Sequence, residues 1–530
     1  MKQNQLGSIV IGFAILFQLI AISFLPATQD EAYYFYWSLF PDLGYFDHPP
    51  LIAWLSTPSI WFPDNVFWSR ILGASLNLLM IPLYLSLATK IHPDPKFRFN
   101  VLILSIFSLG GLVSGIVQTP DLPLAFFWLL ALHESYVAMT NNPKRWITAG
   151  IATGLGIASK YTMLIIGLVF LWALIREKKQ LSKIWPYLGG LACLLTLLPH
   201  LHWNHQHDWV SFKFQMGRGF LSQYEVPGAQ AHGISQAIPA SPGTHEDSLK
   251  YTFYEPSKVH LPKQPKPVLK KTLGKVGQFF GGQLGLWGLL LFPIGLGLWR
   301  QKSVKTQTKG FDPGKSLIWA SVAIPIVLFA MLSPIQHIEA NWAAISMIGM
   351  IFLLASLQMT KFLLLSSAIL NSSLIGLVIL HSHSPLTTKN PAKDRILRET
   401  SGYEDLALNL KDLKAPVLAD TYQTASLLNF YQRDLLVSQW PGIARMSELV
   451  RRREMIHTNQ KTLEASGIFY LITFNAIPPI MDGFSVTSKT HFRDCLEGFI
   501  IYKSNAQWLG SSPCPKPIHK WYLYRYQSKS

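Results

Sequence analysis

Charge is scarce in this chain of 530 residues: only 14% are Asp, Glu, Lys or Arg, while 49% are hydrophobic. So small a charged fraction excludes an ordinary soluble enzyme of this size and points to a polytopic membrane protein. Nucleotide fingerprints are missing as well. Neither GxxxxGK[ST] nor a strand-bounded GxGxxG occurs, so the usual loops for ATP or a dinucleotide are excluded. Acids number 29 against 46 Lys and Arg, a net charge of +17 that would suggest nucleic acid in a soluble chain. Here much of that positive charge falls in short loops between apolar runs, so no nucleic-acid partner follows. Only three cysteines are present. Cys193 sits in an apolar run, and Cys495 and Cys514 lie together in the polar tail, where a disulfide requires a non-cytoplasmic compartment.

What the chain has instead is long apolar runs. A helix needs about 20 apolar residues to cross the hydrocarbon core. Runs near 7–26, 69–91, 100–117, 122–140, 146–159, 161–175, 184–202, 278–298, 317–333, 341–357 and 361–380 predict about eleven spans, the first a retained signal-anchor. Lys96 and Arg98, then Lys144 and Arg145, then Arg176, Lys178, Lys179 and Lys183, then Arg300, Lys302, Lys305 and Lys309 occupy alternate loops, which places those loops in the cytoplasm. The first outer loop (27–68), the Thr119-Pro120-Asp121 turn, Lys160, a long proline-rich loop (203–277) and the turn Gln336 to Asn341 then share the opposite face.

After Leu380 the composition becomes that of a soluble domain. Apolar runs at Ala415–Ala419, Leu435–Val437, Ile468–Phe474 and Phe499–Tyr502 read as strands, and Tyr403–Leu413 and Ala444–Arg453 as helices. The expected organisation is a transmembrane domain over 1–380 and an outer α/β domain over 381–530.

The most unusual stretch is Asp30 to Pro50, DEAYYFYWSLFPDLGYFDHPP, with four acids, a histidine and a dense aromatic set directly after the first apolar run. Acids at a membrane boundary are costly unless solvated or paired, which marks a functional site. Tyr33, Tyr34, Phe35, Tyr36 and Trp37 read as an interfacial aromatic belt that seats the segment.

Taken in order, Asp30-Glu31, Tyr45-Phe46-Asp47-His48-Pro49-Pro50, Gln118-Thr119-Pro120-Asp121-Leu122-Pro123-Leu124, Ser159-Lys160-Tyr161, Trp203-Asn204, Gly281-Gly282-Gln283-Leu284 and Glu339-Ala340-Asn341-Trp342 resemble the GT-C glycosyltransferases of the protein O-mannosyltransferase and lipid A aminoarabinose transferase type. The resemblance covers residues 7–380. It implies an α-helical polytopic membrane protein with a C-terminal α/β periplasmic domain. It also implies transfer of a sugar, with inversion, from a polyprenyl-phosphate donor to a hydroxyl of lipid A, another envelope glycan or a protein, on the outer face of a bacterial inner membrane.

Within that resemblance, Asp30 is the expected acceptor of the attacking hydroxyl's proton, against the alternative of a helix cap. Glu31 supports it, and Asp121 is the second outer-loop acid. Lys160, His48 and Arg70 are candidates for the donor phosphate, Lys160 as a point charge or else as a snorkelling lysine. Asp47 and His48 stand where the aminoarabinose transferases carry an acid and a lysine. They are either ligands of a divalent metal ion or a pair that closes the loop before Pro49-Pro50. Tyr45, Asn204, His205, Gln283, Asn341 and Trp342 are candidates for the substrate pocket. The rival reading is a transporter or flippase of a lipid-linked or anionic solute, which should place its ionisable groups near the bilayer midplane rather than at one face.

Overall fold

The computed structural model describes residues 3–62, 65–220, 269–301, 313–335, 337–386, 390–440, 447–452, 455, 460–479, 481, 483–496, 498–503, 514 and 516–529. Most of the long loop, together with Lys302, Lys305, Lys309 and Gln336, therefore lies outside the described residues.

Among the described residues, five helices are long and apolar enough to cross a membrane: Gln5–Phe24, Val66–Ile91, Asp121–Thr140, Gly314–Leu332 and Lys361–His383. The expected number was about eleven, and the difference has local causes. The run 100–117 is two helices, Pro95–Phe107 and Leu109–Ser114, because Ser108 is extended and caps the second through its side chain. The run 278–298 is bent by 88° between Thr272–Gly285 and Gly288–Arg300, a pair that counts as a sixth span if taken as one. The bend sits at Gly288, whose φ of +57° suits glycine. Asn371 locks it, accepting the Leu289 N–H at 2.8 Å and donating to the carbonyls of Phe107 and Trp287 at 2.8 and 3.0 Å. The runs at 146–159, 161–175 and 341–357 are shorter helices, Arg145–Ile157, Ile165–Arg176 and Ser346–Ala355.

The C-terminal part is a six-stranded mixed sheet. Its strands are β1 (Val417–Ala419), β2 (Ser438–Gln439), β3 (Ile468–Thr473), β4 (Phe484–Cys495), β5 (Gly498–Lys503) and β6 (His519–Ser528), in the order β2-β1-β3-β6-β4-β5. β1 runs parallel to β2 and β3, and the remaining pairs are antiparallel. The expected strand at 435–437 is instead a short helical turn over Arg433–Leu435, with pairing delayed to Ser438. The expected helix at 444–453 is seen as Glu448–Arg451, and 441–446 and 453 lie outside the described residues. Cys495 and Cys514 form a disulfide that ties the β4–β5 hairpin to the chain entering β6.

Helix Gln29–Ser38 joins the two parts. A capping box starts it: the Thr28 side chain accepts from the Glu31 N–H, while the Glu31 carboxylate accepts from the Thr28 N–H at 3.1 Å. From Glu31 to Ser38 every residue is buried. This overturns the reading of its aromatics as an interfacial belt. Tyr33, Tyr34, Tyr36 and Trp37 share one apolar cluster with Tyr403, Leu406, Tyr422, Phe492 and Trp521 of the C-terminal part, and Tyr33 packs on Tyr422 at 4.5 Å. A helix apolar on all sides must be surrounded, and here helix Tyr422–Tyr431 of the sheet part and helix Leu51–Leu55 of the first loop cover it.

The loop between the helix ending at Thr400 and the one starting at Tyr403 leans on Asp494 at the end of β4, with Ser401 as a hydrogen-bond partner. Burial outweighs that bond and lifts the Asp494 carboxyl to about 7. An acid whose folded pKa is raised holds its proton more tightly when folded, so its contribution to stability falls as pH rises towards 7. Asp494→Asn is therefore expected to raise the melting temperature at pH 8 and to leave it unchanged near pH 4. Scanning calorimetry of both proteins at the two pH values checks this, and an equal shift at both would contradict it.

Candidate active site

The polar residues singled out in the sequence divide into a buried frame and a more open cluster. Glu31 belongs to the frame. Its two carboxylate oxygens each meet Arg70 at 2.7 Å, from Nε and Nη2, and both side chains are almost fully buried. One oxygen also accepts the Gln118 N–H at 2.7 Å. Arg70 spends its remaining donors on the carbonyls of Ile22, Leu25 and Pro26, which end the first helix. A guanidinium has five N–H donors, and these contacts occupy them, so Arg70 is committed to holding helix ends together rather than open to a ligand. Tyr45 is likewise buried, stacked on Trp37 at 4.4 Å with its single hydroxyl proton shared between the carbonyls of Trp37 and Phe40.

Asp30 stands apart from this frame. Capping has fallen to Thr28 and Glu31, and Asp30 is exposed one residue into the helix. Its neighbour one turn on, Tyr34, marks where the acids meet. The Tyr34 hydroxyl is held well above the usual phenol range by burial first, then by the charges of Asp30, Tyr422, Asp47 and Asp121. Three carboxylates from three separate stretches of sequence thus act on one hydroxyl. The His48 ring packs edge-on against Tyr34 at 6.0 Å. Asp47 is buried and accepts the Tyr33 hydroxyl at 2.7 Å, and its carbonyl accepts from the Gln215 side chain.

The second part of the cluster is centred on Asp121, at the start of helix Asp121–Thr140. Lys160 lies where the chain breaks between two short helices and donates to Asp121 Oδ1 at 2.6 Å. Asn341 donates to Asp121 Oδ2 at 2.8 Å. Gln283 reaches the same turn through the carbonyl of Ala340 at 2.9 Å, and Trp342 packs against Phe329. Asp121 and Asn341 also line a cavity of about 400 Å³ that runs between helices, walled by Phe17, Leu78, Ile81, Leu124, Ile345 and Ile348 among others.

Other expected pocket residues fall elsewhere. Asn204 is buried and bonds the Nε2 and the carbonyl of His200, both at 3.1 Å. His205 is exposed and hydrogen-bonds none of these residues. Among the described residues no three His, Cys, Asp or Glu side chains are grouped so as to hold a metal, so Asp47 and His48 lack a third ligand there. Sequence reasoning missed Tyr34 as a meeting point, and missed Glu448 and Arg452, which reach the first loop from the C-terminal part, and Arg451, which reaches Trp203. Nothing near those three in sequence signals the contact.

A family model described as dolichyl-phosphate-mannose-protein mannosyltransferase matches residues 47–203. RgtD of Rhizobium johnstonii, a lipid A galacturonosyltransferase, is 26% identical over 245 residues, 42% of this chain and 50% of that protein. The chain thus spans about half the length of the curated relative it matches. Crystal structures of ArnT from Cupriavidus metallidurans superpose along most of their length. With undecaprenyl phosphate bound, the TM-score is 0.59 at 11% identity, covering 97% of this chain and 100% of that one. In the apo state it is 0.55 at 12% identity, covering 89% and 93%. The fold is the GT-C fold of an integral membrane protein, and the chain resembles the mannosyltransferase and aminoarabinose transferase group of glycosyltransferases.

The frame carries its own prediction. Arg70→Ala would leave the Glu31 carboxylate buried without its counter-charge, a loss of roughly 3–5 kcal/mol. Arg70→Lys should recover little, because an ammonium cannot reproduce the two-point contact. Thermal melting in detergent checks this: a wild-type melting temperature for either variant would show that the pair does not hold the fold.

Proposed function

We propose that the protein moves a sugar from a polyprenyl-phosphate donor to an acceptor hydroxyl on the periplasmic face of a bacterial inner membrane. The observation that carries the reading is the meeting of an apolar inter-helix cavity with the Lys160–Asp121–Asn341 cluster. A long isoprenoid chain with an anionic head needs that combination: a dry wall for the tail and a cation at one end. The chemistry of ArnT's bound undecaprenyl phosphate is of the same class.

In this reading the tail occupies the cavity, and Lys160 receives the phosphate. Its ammonium has three N–H donors and gives one to Asp121, which fixes its position while leaving donors for phosphate oxygens. Asp30, exposed beside Tyr34, takes the acceptor's proton as its oxygen bonds to the anomeric carbon. The bond from that carbon to the phosphate oxygen breaks in the same displacement, with inversion, and polyprenyl phosphate leaves with its charge against Lys160. Asp47 and His48 shape the sugar side of the pocket around Tyr34. Glu31 and Arg70 keep the helix ends in register. The Cys495–Cys514 disulfide supports an oxidising, periplasmic location for the C-terminal domain over 381–530. Lipid A is the acceptor class that the RgtD match favours.

The test uses the purified protein in lipid with a panel of polyprenyl-phosphate sugars and an envelope acceptor fraction, following release of polyprenyl phosphate. Asp30→Asn should lower turnover by about 10²–10⁴-fold with donor binding kept, the usual range for loss of a general base. Lys160→Met should weaken donor binding as well as turnover. Wild-type protein that releases nothing from any donor, while transporting a lipid-linked solute in vesicles, would overturn the reading.

A further inference from the structure

The C-terminal segment Ser447 to Arg452 grips the first loop at three points: directly through Arg452, by way of Trp203, and directly through Glu448. Arg452 meets the Asp42 carboxylate at 3.2 Å. The Arg451 guanidinium lies 5.5 Å from the ring of Trp203, whose indole N–H donates to the same Asp42 carboxylate at 3.0 Å. The third point is the most consequential. Glu448, fully buried, accepts the Phe46 N–H with Oε1, and its own main-chain N–H donates to the Tyr33 hydroxyl at 2.8 Å.

The Tyr33 hydroxyl is thus held from two sides: its oxygen accepts the Glu448 N–H, and its proton goes to Asp47 Oδ2, 2.7 Å away. One residue of the C-terminal part therefore sets both the backbone just before Asp47 and the donor that aims its carboxylate. Arg451, itself buried, holds the Glu448 carboxylate at 3.2 Å and orients it. Neither first-loop contact depends on a neighbour in sequence: Phe46 and Glu448 are 402 positions apart.

We propose that Glu448 is a positioning residue for the reaction, acting across the domain boundary through Asp47. The proposal rests on the reading of Asp47 as part of the sugar pocket. It gives the C-terminal domain a defined task, which is to hold the Phe46-Asp47-His48 segment in its working geometry. It also makes turnover conditional on docking of that domain, since the loop's own contacts do not include an acceptor for the Phe46 N–H among the described residues other than Glu448.

The experiment uses the full chain in lipid and measures kcat and donor KM for wild type, Glu448→Gln, Glu448→Ala, Asp47→Asn and the double variant Asp47→Asn/Glu448→Ala, with melting temperatures to identify any that misfold. Glu448→Gln retains a carbonyl oxygen for the Phe46 N–H and should rescue most of the loss seen with Glu448→Ala. Glu448→Ala should lower kcat by about 30–100-fold at nearly unchanged donor KM, the scale expected when a reacting geometry is displaced by an ångström. Once Asp47 is Asn, Glu448→Ala should cost no more than about twofold further, because the two act through one group. The proposal is overturned if the single losses multiply in the double variant, if Glu448→Gln is as impaired as Glu448→Ala, or if Glu448→Ala keeps wild-type kcat while Asp47→Asn loses it. Full activity in Asp47→Asn would instead remove the reading of Asp47, and the proposal with it.

Discussion

The buried contact between Glu31 and Arg70 is the constraint on which the rest of the structure depends. It joins four stretches at one point: the end of the first helix through three carbonyls, the start of helix Gln29–Ser38 through the capping box, helix Val66–Ile91 through Arg70, and the chain before Asp121 through the Gln118 N–H. A charge at this depth is tolerable only because every lone pair and donor is met, and the same completeness removes slack from the joints. Asp30 and Asp121 each lie within a few residues of that junction. Their separation is thus set by the frame and not by the loops that carry them.

Above the frame, aromatic packing does what a linker cannot. Helix Gln29–Ser38 is buried from Glu31 onward against the helices of the sheet part, and Trp37, Tyr45 and Tyr33 interleave with Tyr422 and Tyr403 in a single cluster. Large rings bury much apolar area with few rotatable bonds, so a contact of this kind fixes orientation at small entropic cost. The polar links from Arg452, Arg451 and Glu448 lie at its margin and give it register.

This is also where the sequence misleads. The fold class was legible, because apolar run length and the order of short polar motifs are local signals, and the strands at 417–419, 468–473 and 498–503 fall within or close to the apolar runs that announced them. The acids and Lys160 were legible as candidates for the same reason. What local signals cannot carry is which surface an aromatic residue will meet. Tyr33 to Trp37 have the composition of an interfacial belt, and only the arrival of residues some four hundred positions later turns them into core. Arg70 shows the same limit: an arginine near a membrane boundary looks open to phosphate until its acceptors are known, and three of them are main-chain carbonyls that no motif encodes. The bend at Gly288 was invisible because the Asn371 that fixes it lies 82 residues from its Leu289 partner.

The division between frame and cluster has an electrostatic logic. Groups in the frame are neutralised in pairs with no spare donors, so they add little net field at the pocket. The acids acting on Tyr34 come from three stretches of the chain, and Lys160 gives Asp121 one of its three donors. In the proposed reaction, stabilisation of the departing phosphate would come from such fixed groups, pre-oriented before the bond breaks. The burial of the aromatic helix under the C-terminal part and the openness of the Lys160 cluster are linked through Tyr34, which lies in the first and is acted on by Asp121 of the second.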